Sequence, residues 1–245
     1  MIVEDPKLLF VHIPRTAGSS VEKFFDYQLH GKYLPHNAQH STLEEYDGGY
    51  DLEDYFKFTI VRNPWDRLLS WYLWSYAELI YFQHMSDSGQ FVSSAKNGRA
   101  RAWIKGRRIL TDKNSTFVDQ KFFLRFKTAF SSFVERLESL TRLGPHAVFD
   151  DVSLLENRLN GRWVMPQLRW LEINGKMNID YVCKFEKLKA NFNTVLRKNG
   201  IEKKPLEIIG RIHHKPSYRK FYTKKNQQII ANIYADDIKK FKYEF

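Results

Sequence analysis

Residues 8–20, Leu-Leu-Phe-Val-His-Ile-Pro-Arg-Thr-Ala-Gly-Ser-Ser, constrain the fold of this chain more than any other segment. Positions 8–13 are apolar except for His12, a pattern typical of a strand buried inside a parallel sheet. Pro14 lacks the N–H that a sheet ladder needs, and Gly18 allows the backbone to turn tightly. The segment therefore predicts a central strand over residues 8–13 that ends in a turn at Pro14. The end of this strand and the turn, residues 12–18, are together called the first turn.

The first turn joins a cation and several hydroxyl groups to the start of a helix. Val21, Phe24 and Phe25 fall at helical spacing, so the unpaired N–H groups of the helix N-terminus face the turn. A helix N-terminus attracts anions, and the Arg15 guanidinium is suited to phosphate or sulfate. We therefore predict an anion cradle formed by Arg15, Thr16, Ala17, Gly18, Ser19 and Ser20. The alternative is an ordinary strand-to-helix turn.

A second strand, turn and helix of the same kind lie at residues 55–74. The apolar pattern predicts a strand up to position 61, and Asn63 with Pro64 predicts a capped helix start, so residues 62–64 form the second turn. Arg62 then lies at the carboxyl end of the strand, and Ser70 about two turns into the helix. Open parallel sheets bind ligands at the carboxyl ends of their strands, which predicts a site for a ligand with two phosphate groups. The alternative is a surface ion pair between Arg62 and Asp66.

Segments 10–20 and 61–70 resemble the two cofactor motifs of the carbohydrate sulfotransferases. The resemblance is closest to the branch that contains heparan sulfate 2-O-sulfotransferase and the chondroitin 4-O-sulfotransferases. Residues 185–188, residues 213–222 and the C-terminal residues from Asp237 also resemble this family, so the similarity extends over most of the chain.

The resemblance implies a fold, a cofactor and roles for individual residues. The implied fold is α/β, a single domain over residues 1–245 with a central parallel sheet flanked by helices, related to the P-loop nucleotide kinases. The implied cofactor is 3′-phosphoadenosine 5′-phosphosulfate (PAPS), whose product is adenosine 3′,5′-bisphosphate (PAP). The cradle is implied to hold the 5′-phosphosulfate, and Arg62 and Ser70 to hold the 3′-phosphate.

Arg15 occupies a position where the family usually has lysine. A lysine there can stabilise the leaving phosphate and protonate its bridging oxygen. Arginine keeps the positive charge but does not release a proton near neutral pH. We therefore predict that Arg15 contributes to catalysis by electrostatic stabilisation, the larger effect when a charged group is transferred.

Transfer of a sulfuryl group to a hydroxyl needs a base near the acceptor oxygen, because alcohols are weakly acidic. Residues 36–45 place His36 and His40 ahead of a short helix with a capping-box sequence. His40 resembles the catalytic histidine of the 2-O-sulfotransferases, so we predict that it is the general base, with His36 as the reserve candidate. The alternative is that His40 only hydrogen-bonds to a neighbouring loop. His12, within the strand, is interpreted as a core residue.

Two further basic segments are candidates for ligand binding. Residues 211–222 combine basic and aromatic residues, and a late loop of this kind closes over the adenine and the 3′-phosphate in the family. The resemblance thus implies cofactor contacts for Lys215, Ser217, Tyr218 and Arg219. Residues 85–119 are interpreted as a basic insertion on the acceptor side, with Trp103 stacking on a sugar ring. For both segments the alternative is a solvated basic surface.

Composition limits the compartment and the partners. The 245 residues include 39 lysines and arginines against 28 acidic residues, and the net charge of +11 predicts an anionic partner. The basic residues are scattered and no nucleic-acid-binding motif is present, so nucleic acid is not the predicted partner. The sequence lacks a transmembrane or leader pattern and has one cysteine, Cys183, which predicts a cytoplasmic location. No cysteine or histidine cluster has metal-ligand spacing, so no metal is predicted.

These observations together predict a sulfotransferase that uses PAPS and His40 for in-line transfer to a hydroxyl of a carbohydrate or glycoconjugate. The first alternative is sulfation of a small hydroxylated metabolite. The second is a nucleotide-dependent phosphotransferase, but the G-x-x-x-x-G-K-[ST] motif is absent from the sequence. A nucleic-acid-binding module, suggested only by the net charge, ranks last.

Overall fold

The computed structural model describes residues 1–29, 40–77, 80–81, 96–115, 120–141, 161–213 and 215–245. The strands in these ranges are β1 (Ile2–Val3), β2 (Leu8–Val11), β3 (Phe56–Val61), β4 (Glu172–Ile173), β5 (Lys176–Met177) and β6 (Tyr181–Lys184). The α-helices are α1 (Gly18–Leu29), α2 (Leu43–Asp47), α3 (Pro64–Ser75), α4 (Lys96–Thr111), α5 (Gln120–Thr141), α6 (Gly161–Val164), α7 (Leu188–Lys198), α8 (Lys224–Ile233) and α9 (Ala235–Phe241). Short 3₁₀ helices span Leu168–Trp170, Phe185–Lys187 and Tyr218–Phe221.

The chain divides into two compact units. The first unit contains Met1–Arg67, Arg162–Ile209 and Tyr234–Glu244. The second contains Leu68–Gly161, Gly210–Ile233 and Phe245. The assignment of one sulfotransferase domain to residues 1–245 stays a prediction.

The first unit is built on a four-stranded sheet in the order β1-β2-β3-β6. β3 is parallel to both of its neighbours, with Leu8 opposite Phe56 and Phe58 opposite Tyr181, while β1 is antiparallel to β2. The predicted α/β class with a mostly parallel sheet is therefore confirmed. β2 ends at Val11, earlier than the apolar run predicts, and the carbonyl of His12 accepts a hydrogen bond from a side chain outside the sheet.

Helices α1 and α7 pack together over the sheet of the first unit. Phe25 on α1 and Phe192 on α7 meet edge to face at 5.8 Å, and Phe58 of β3 lies 6.1 Å from Phe25. All three rings are buried, together with Cys183 of β6. Burial raises the pKa of the Cys183 thiol to about 12, so this thiol is protonated and belongs to the hydrophobic core.

The second unit is helical in the described residues. The helical spacing of the phenylalanines in residues 122–133 predicts a helix that packs into a core. In the structure, Phe130 of α5 packs edge to face on Phe221 and Tyr222, and Phe123 also meets Phe221, which confirms this prediction. Part of the predicted basic insertion forms α4; residues 85–95 and 116–119 lie outside the described residues. No helix among the described ranges is long and apolar enough to cross a membrane.

The spacing of apolar residues between Ile229 and Ile238 predicts one terminal amphipathic helix with Asp236 and Asp237 on its polar side. The structure contains two helices in this region. α8 ends at Ile233 and belongs to the second unit, whereas α9 begins at Ala235 and belongs to the first. Between them, Tyr234 is buried, and its hydroxyl donates to the carbonyl of Val164 at 2.6 Å. The prediction that Asp237 lies on the polar side of this helix is wrong, because its carboxylate is fully buried.

Candidate active site

The backbone of the first turn has an unusual conformation. Arg15 and Ala17 have positive φ angles of 67° and 76°, although both carry a β-carbon. This left-handed conformation costs roughly 1–2 kcal/mol for a residue other than glycine. It persists only where the surroundings enforce it, and such residues cluster at ligand sites. The backbone conformation of Arg15 and Ala17 therefore makes the first turn a candidate ligand site.

Thr16, Gly18 and Ser20 take different places around the first turn. The buried Thr16 hydroxyl donates to the carbonyl of Ile13 at 2.8 Å, so Thr16 would meet a ligand through its main-chain N–H. A β-carbon on Gly18 would lie 1.9 Å from Cδ2 of His12, which requires glycine here. The Ser20 hydroxyl accepts from the N–H of Ile209 at 2.9 Å, and its own proton can still be donated.

Arg62 from the second turn reaches the first turn. Its Nη1 donates to the main-chain carbonyl of Arg15 at 2.9 Å. Its Nε and Nη2 donate to one carboxylate oxygen of Asp66 at 2.9 and 2.7 Å, and its Cζ lies 4.1 Å from the centre of the Phe185 ring. The ion pair with Asp66 that the sequence offered as an alternative does exist. It is largely buried and coexists with the contact to Arg15.

Two residues that the sequence did not single out as site residues hold the main chain of Arg62. The Gln167 side chain accepts from the Arg62 N–H at 2.8 Å and donates to the Arg62 carbonyl at 2.9 Å. Asp237 accepts in turn from the main-chain N–H groups of Gln167 and Leu168 at 2.7 and 2.8 Å. Burial raises the pKa of Asp237, although these hydrogen bonds favour its charged form. The main-chain position of Arg62, and with it the direction of its side chain, therefore depends on residues far away in the sequence.

Asn63 caps helix α3 as the sequence predicts. Its side-chain oxygen accepts from the N–H groups of Trp65 and Asp66 at 3.1 and 3.4 Å. Its own N–H donates to the Glu186 carboxylate at 2.8 Å. The N-terminus of α3 is thus occupied by side chains of the protein itself.

His40 contacts the beginning of the first turn. Its Nδ1 lies 3.1 Å from the carbonyl oxygen of His12. A carbonyl only accepts, so Nδ1 carries the proton and Nε2 of the neutral ring keeps a lone pair. The His40 ring lies between the rings of His12 and Trp163, at 4.3 and 4.7 Å. Burial, with the neighbouring His12, lowers the pKa of His40 to about 4, so the ring is a neutral proton acceptor at pH 7.

The segment that carries His40 is held by an ion pair. Arg162 donates to the His40 carbonyl at 3.2 Å and to the Glu45 carboxylate at 3.0 Å. Glu45 and Thr42 form the capping box of α2, which confirms the short helix predicted after His40. These contacts restrain the backbone of His40 and leave its Nε2 outside the network.

The structure brings together Arg15, Arg62 and His40 in the first unit. The other predicted residues are distributed differently. Ser70 lies on α3 within the second unit and is buried. Tyr218 lies in the second unit as well, and the Arg219 guanidinium lies 5.0 Å from the centre of its ring. The cofactor roles of Ser70, Lys215, Ser217, Tyr218 and Arg219 stay predictions, and His36 lies outside the described residues.

The similarity of the chain to a known protein family extends over almost its whole length. The family model described as the sulfotransferase family matches residues 1–244. No curated protein and no solved structure matches the chain. The family match includes both turns, the His40 segment and the C-terminal helices.

Proposed function

The chain belongs to the sulfotransferase family, and from that premise we propose that it transfers the sulfuryl group of PAPS to a hydroxyl of a carbohydrate or glycoconjugate. One observation carries the proposal: Arg62 and His40 both donate to main-chain carbonyls of the first turn, at Arg15 and His12. The carboxyl end of β2 thus brings together three groups: the Arg62 cation, which suits a phosphate, the backbone of the first turn, which suits an anion, and the neutral base His40.

The residues around the first turn suit an anionic cofactor. Arg15 is partly exposed, and Ser19 is exposed at the start of α1. The left-handed backbone at positions 15 and 17 shapes the turn that precedes α1. The terminal nitrogens of Arg62 each carry a further N–H bond beyond those given to Asp66 and Arg15. In this proposal Arg15 and the N-terminus of α1 hold the 5′-phosphosulfate, and Arg62 holds the 3′-phosphate.

The protein residues divide the chemistry between a base and fixed positive charges. When bound, the cofactor supplies a sulfuryl group whose bond to the bridging phosphate oxygen breaks as its bond to the acceptor oxygen forms. Nε2 of His40 takes the proton of the acceptor hydroxyl, which its neutral state at pH 7 permits. Arg15 remains charged and offsets the negative charge that develops on the leaving phosphate.

The acceptor class rests on the resemblance of residues 10–20 and 61–70 to the carbohydrate branch and on the net charge of +11. An excess of positive charge favours encounter with an anionic acceptor such as an acidic glycan. Incubation with labelled PAPS and separate sets of acidic glycans, neutral glycans and small hydroxylated metabolites tests this point. Label transfer confined to the small metabolites would contradict the carbohydrate assignment.

Replacement of His40 by alanine tests the proposed base. We expect His40→Ala to lower sulfuryl transfer by about 10²- to 10⁴-fold, the usual contribution of a positioned base. The affinity for PAP, measured by calorimetry, should stay within about twofold of the wild type, because no cofactor contact is assigned to His40.

Two controls make this result specific. His36→Ala removes the reserve candidate and should leave transfer unchanged. Wild-type turnover in His40→Ala would contradict the assignment of the base, and tighter binding of ATP than of PAP would contradict the cofactor.

A further inference from the structure

His12 and Glu22 form a buried polar pair that has no assigned role in the proposed sulfuryl transfer. Nδ1 of His12 lies 2.7 Å from Oε1 of Glu22, and both side chains are at most 4% exposed. Buried charged groups need partners, yet replacing such a pair by apolar residues of similar volume is often neutral or stabilising. Fold stability by itself therefore does not account for a histidine and a glutamate at these positions.

The pair is in contact with the proposed base. The ring of His12 lies 4.3 Å from the ring of His40, and the carbonyl of His12 accepts the Nδ1 proton of His40 at 3.1 Å. The His12 ring also fills the space above Gly18, at the start of α1. Glu22, which lies on α1, fixes the His12 ring through Nδ1. The Glu22 carboxylate thus contacts the His12 imidazole, and the His12 ring in turn contacts the His40 ring.

The charges around His40 give this connection a chemical role. The hydrogen bond from Nδ1 of His40 ends on a neutral carbonyl, which stabilises an imidazolium less than a carboxylate does. Burial lowers the pKa of His40 most, and the neighbouring His12 and Arg15 lower it as well, whereas the hydrogen bond to the His12 carbonyl and the charge of Glu22 raise it. Arg162, which holds the His40 carbonyl, is itself paired with Glu45. Glu22 is therefore the carboxylate suited to offset a positive charge on His40.

We propose that Glu22, acting through His12, supplies the negative charge that lets the buried His40 accept the proton of the acceptor hydroxyl, while His12 fixes the orientation of the His40 ring. Both are positioning residues, and the inference rests on the proposed role of His40 as the base. The proton moves from the hydroxyl oxygen to Nε2 of His40, and the freed electron pair forms the bond to sulfur. The pair of the cleaved sulfur–oxygen bond leaves on the phosphate, and Glu22 exchanges no proton with the acceptor.

A titration of His40 in the ligand-free protein tests the electrostatic part. Glu22→Gln keeps the shape of the side chain and removes its charge, and Asp26→Asn removes a charge one turn later on the same helix. NMR follows the His40 Cε1–H resonance, assigned by its absence in His40→Ala. We expect Glu22→Gln to reduce the fraction of His40 protonated at pH 5 by roughly three- to tenfold, and Asp26→Asn to leave it unchanged.

Turnover with labelled PAPS tests the catalytic part. Glu22→Gln should lower kcat by roughly three- to tenfold with little change in KM or in the affinity for PAP, and Glu22→Asp should restore most of kcat because it retains the charge. The double variant His12→Phe with Glu22→Met replaces the pair by apolar side chains. It should fold with a Tm close to that of the wild type and still lose turnover.

The outcomes separate the two proposals. Unchanged His40 titration and unchanged kcat in Glu22→Gln, or full turnover in the double variant, would overturn the role of the pair and leave His40 as the base. Full turnover in His40→Ala would overturn both.

Discussion

The first and second turns have similar sequence patterns, but they differ in how the N–H groups at the start of the following helix are satisfied. At the second turn, the Asn63 side chain accepts from the first N–H groups of α3, and Glu186 accepts from the N–H of Asn63. At the first turn, the Thr16 hydroxyl donates backwards to Ile13, and Arg15 adopts a left-handed backbone ahead of α1. The N-terminus of α3 is therefore capped by a side chain of the protein. The N-terminus of α1 is instead preceded by a turn with left-handed backbone.

Under the proposed function, one strand, turn and helix arrangement supplies two kinds of anion contact. Where a side chain already satisfies the helix N-terminus, the backbone has little left to offer a ligand, and the contribution must come from a charged side chain such as Arg62. Where the backbone is held open by Gly18 and left-handed residues, the N–H groups themselves can meet an anion. We therefore expect substitutions at the two turns to have different effects.

The largest effect should come from Gly18→Ala in the first turn. The new β-carbon would meet the His12 ring at 1.9 Å, so the ring or the start of α1 must move. We expect a loss of about 1–3 kcal/mol in the free energy of unfolding, as for other overpacked sites. PAP affinity should fall at the same time, which thermal unfolding and calorimetry would measure.

Gly48→Ala provides the matched control for that substitution. Gly48 ends α2 with a φ of −66°, and the nearest atom to a new β-carbon is 3.6 Å away. Stability and binding should both be retained there. Wild-type PAP affinity in a stably folded Gly18→Ala would show that the backbone of the first turn does not contact the cofactor.

A smaller effect should come from Arg62→Lys in the second turn. Lysine keeps the charge but lacks the planar, forked guanidinium that bonds to Asp66 and Arg15 and stacks on Phe185. We expect PAP affinity to fall by about tenfold. Asn63→Ala is the contrast, because loss of the cap should lower stability by about 1 kcal/mol and leave affinity intact. Equal losses of affinity in both variants would remove the distinction between the two turns.

The smallest effect should come from Arg15→Lys. Lysine keeps the charge of the first turn and can also release a proton, so we expect turnover between the wild-type value and about threefold higher. Arg15→Met removes the charge and should lower turnover strongly, as steady-state assays with labelled PAPS would show. If the lysine variant were as slow as the methionine variant, the geometry of the guanidinium rather than its charge would be essential.

Local features of the site were predictable because their signals lie within a few residues of one another. The Asn63 cap, the capping box of Thr42 and Glu45 and the strand β3 all follow from short patterns that the structure confirms. His12 was correctly interpreted as buried, since it interrupts an apolar strand. Its pairing with Glu22 had no such signal, because a glutamate in the second turn of a helix normally faces solvent.

Contacts across long sequence separations were not predictable. Gln167 is 105 residues from Arg62, and Asp237 is 70 residues from Gln167, yet together they hold the main chain at the second turn. The spacing of apolar residues predicts a polar helix face for Asp237, because this pattern depends only on residue polarity and contains no information about buried partners. The carboxylate is buried because main-chain N–H groups of Gln167 and Leu168 satisfy it.

By itself, the sequence of residues 8–20 determined that a buried strand ends in a turn followed by a helix, because backbone preference and residue chemistry act locally. Only the tertiary structure decided which distant groups meet that turn. The Arg62 guanidinium reaches the Arg15 carbonyl because β2 and β3 are adjacent and parallel. His40 donates to the His12 carbonyl, and Glu22 turns inward to the His12 ring. Each of these contacts depends on how strands and helices pack, which short-range patterns do not encode.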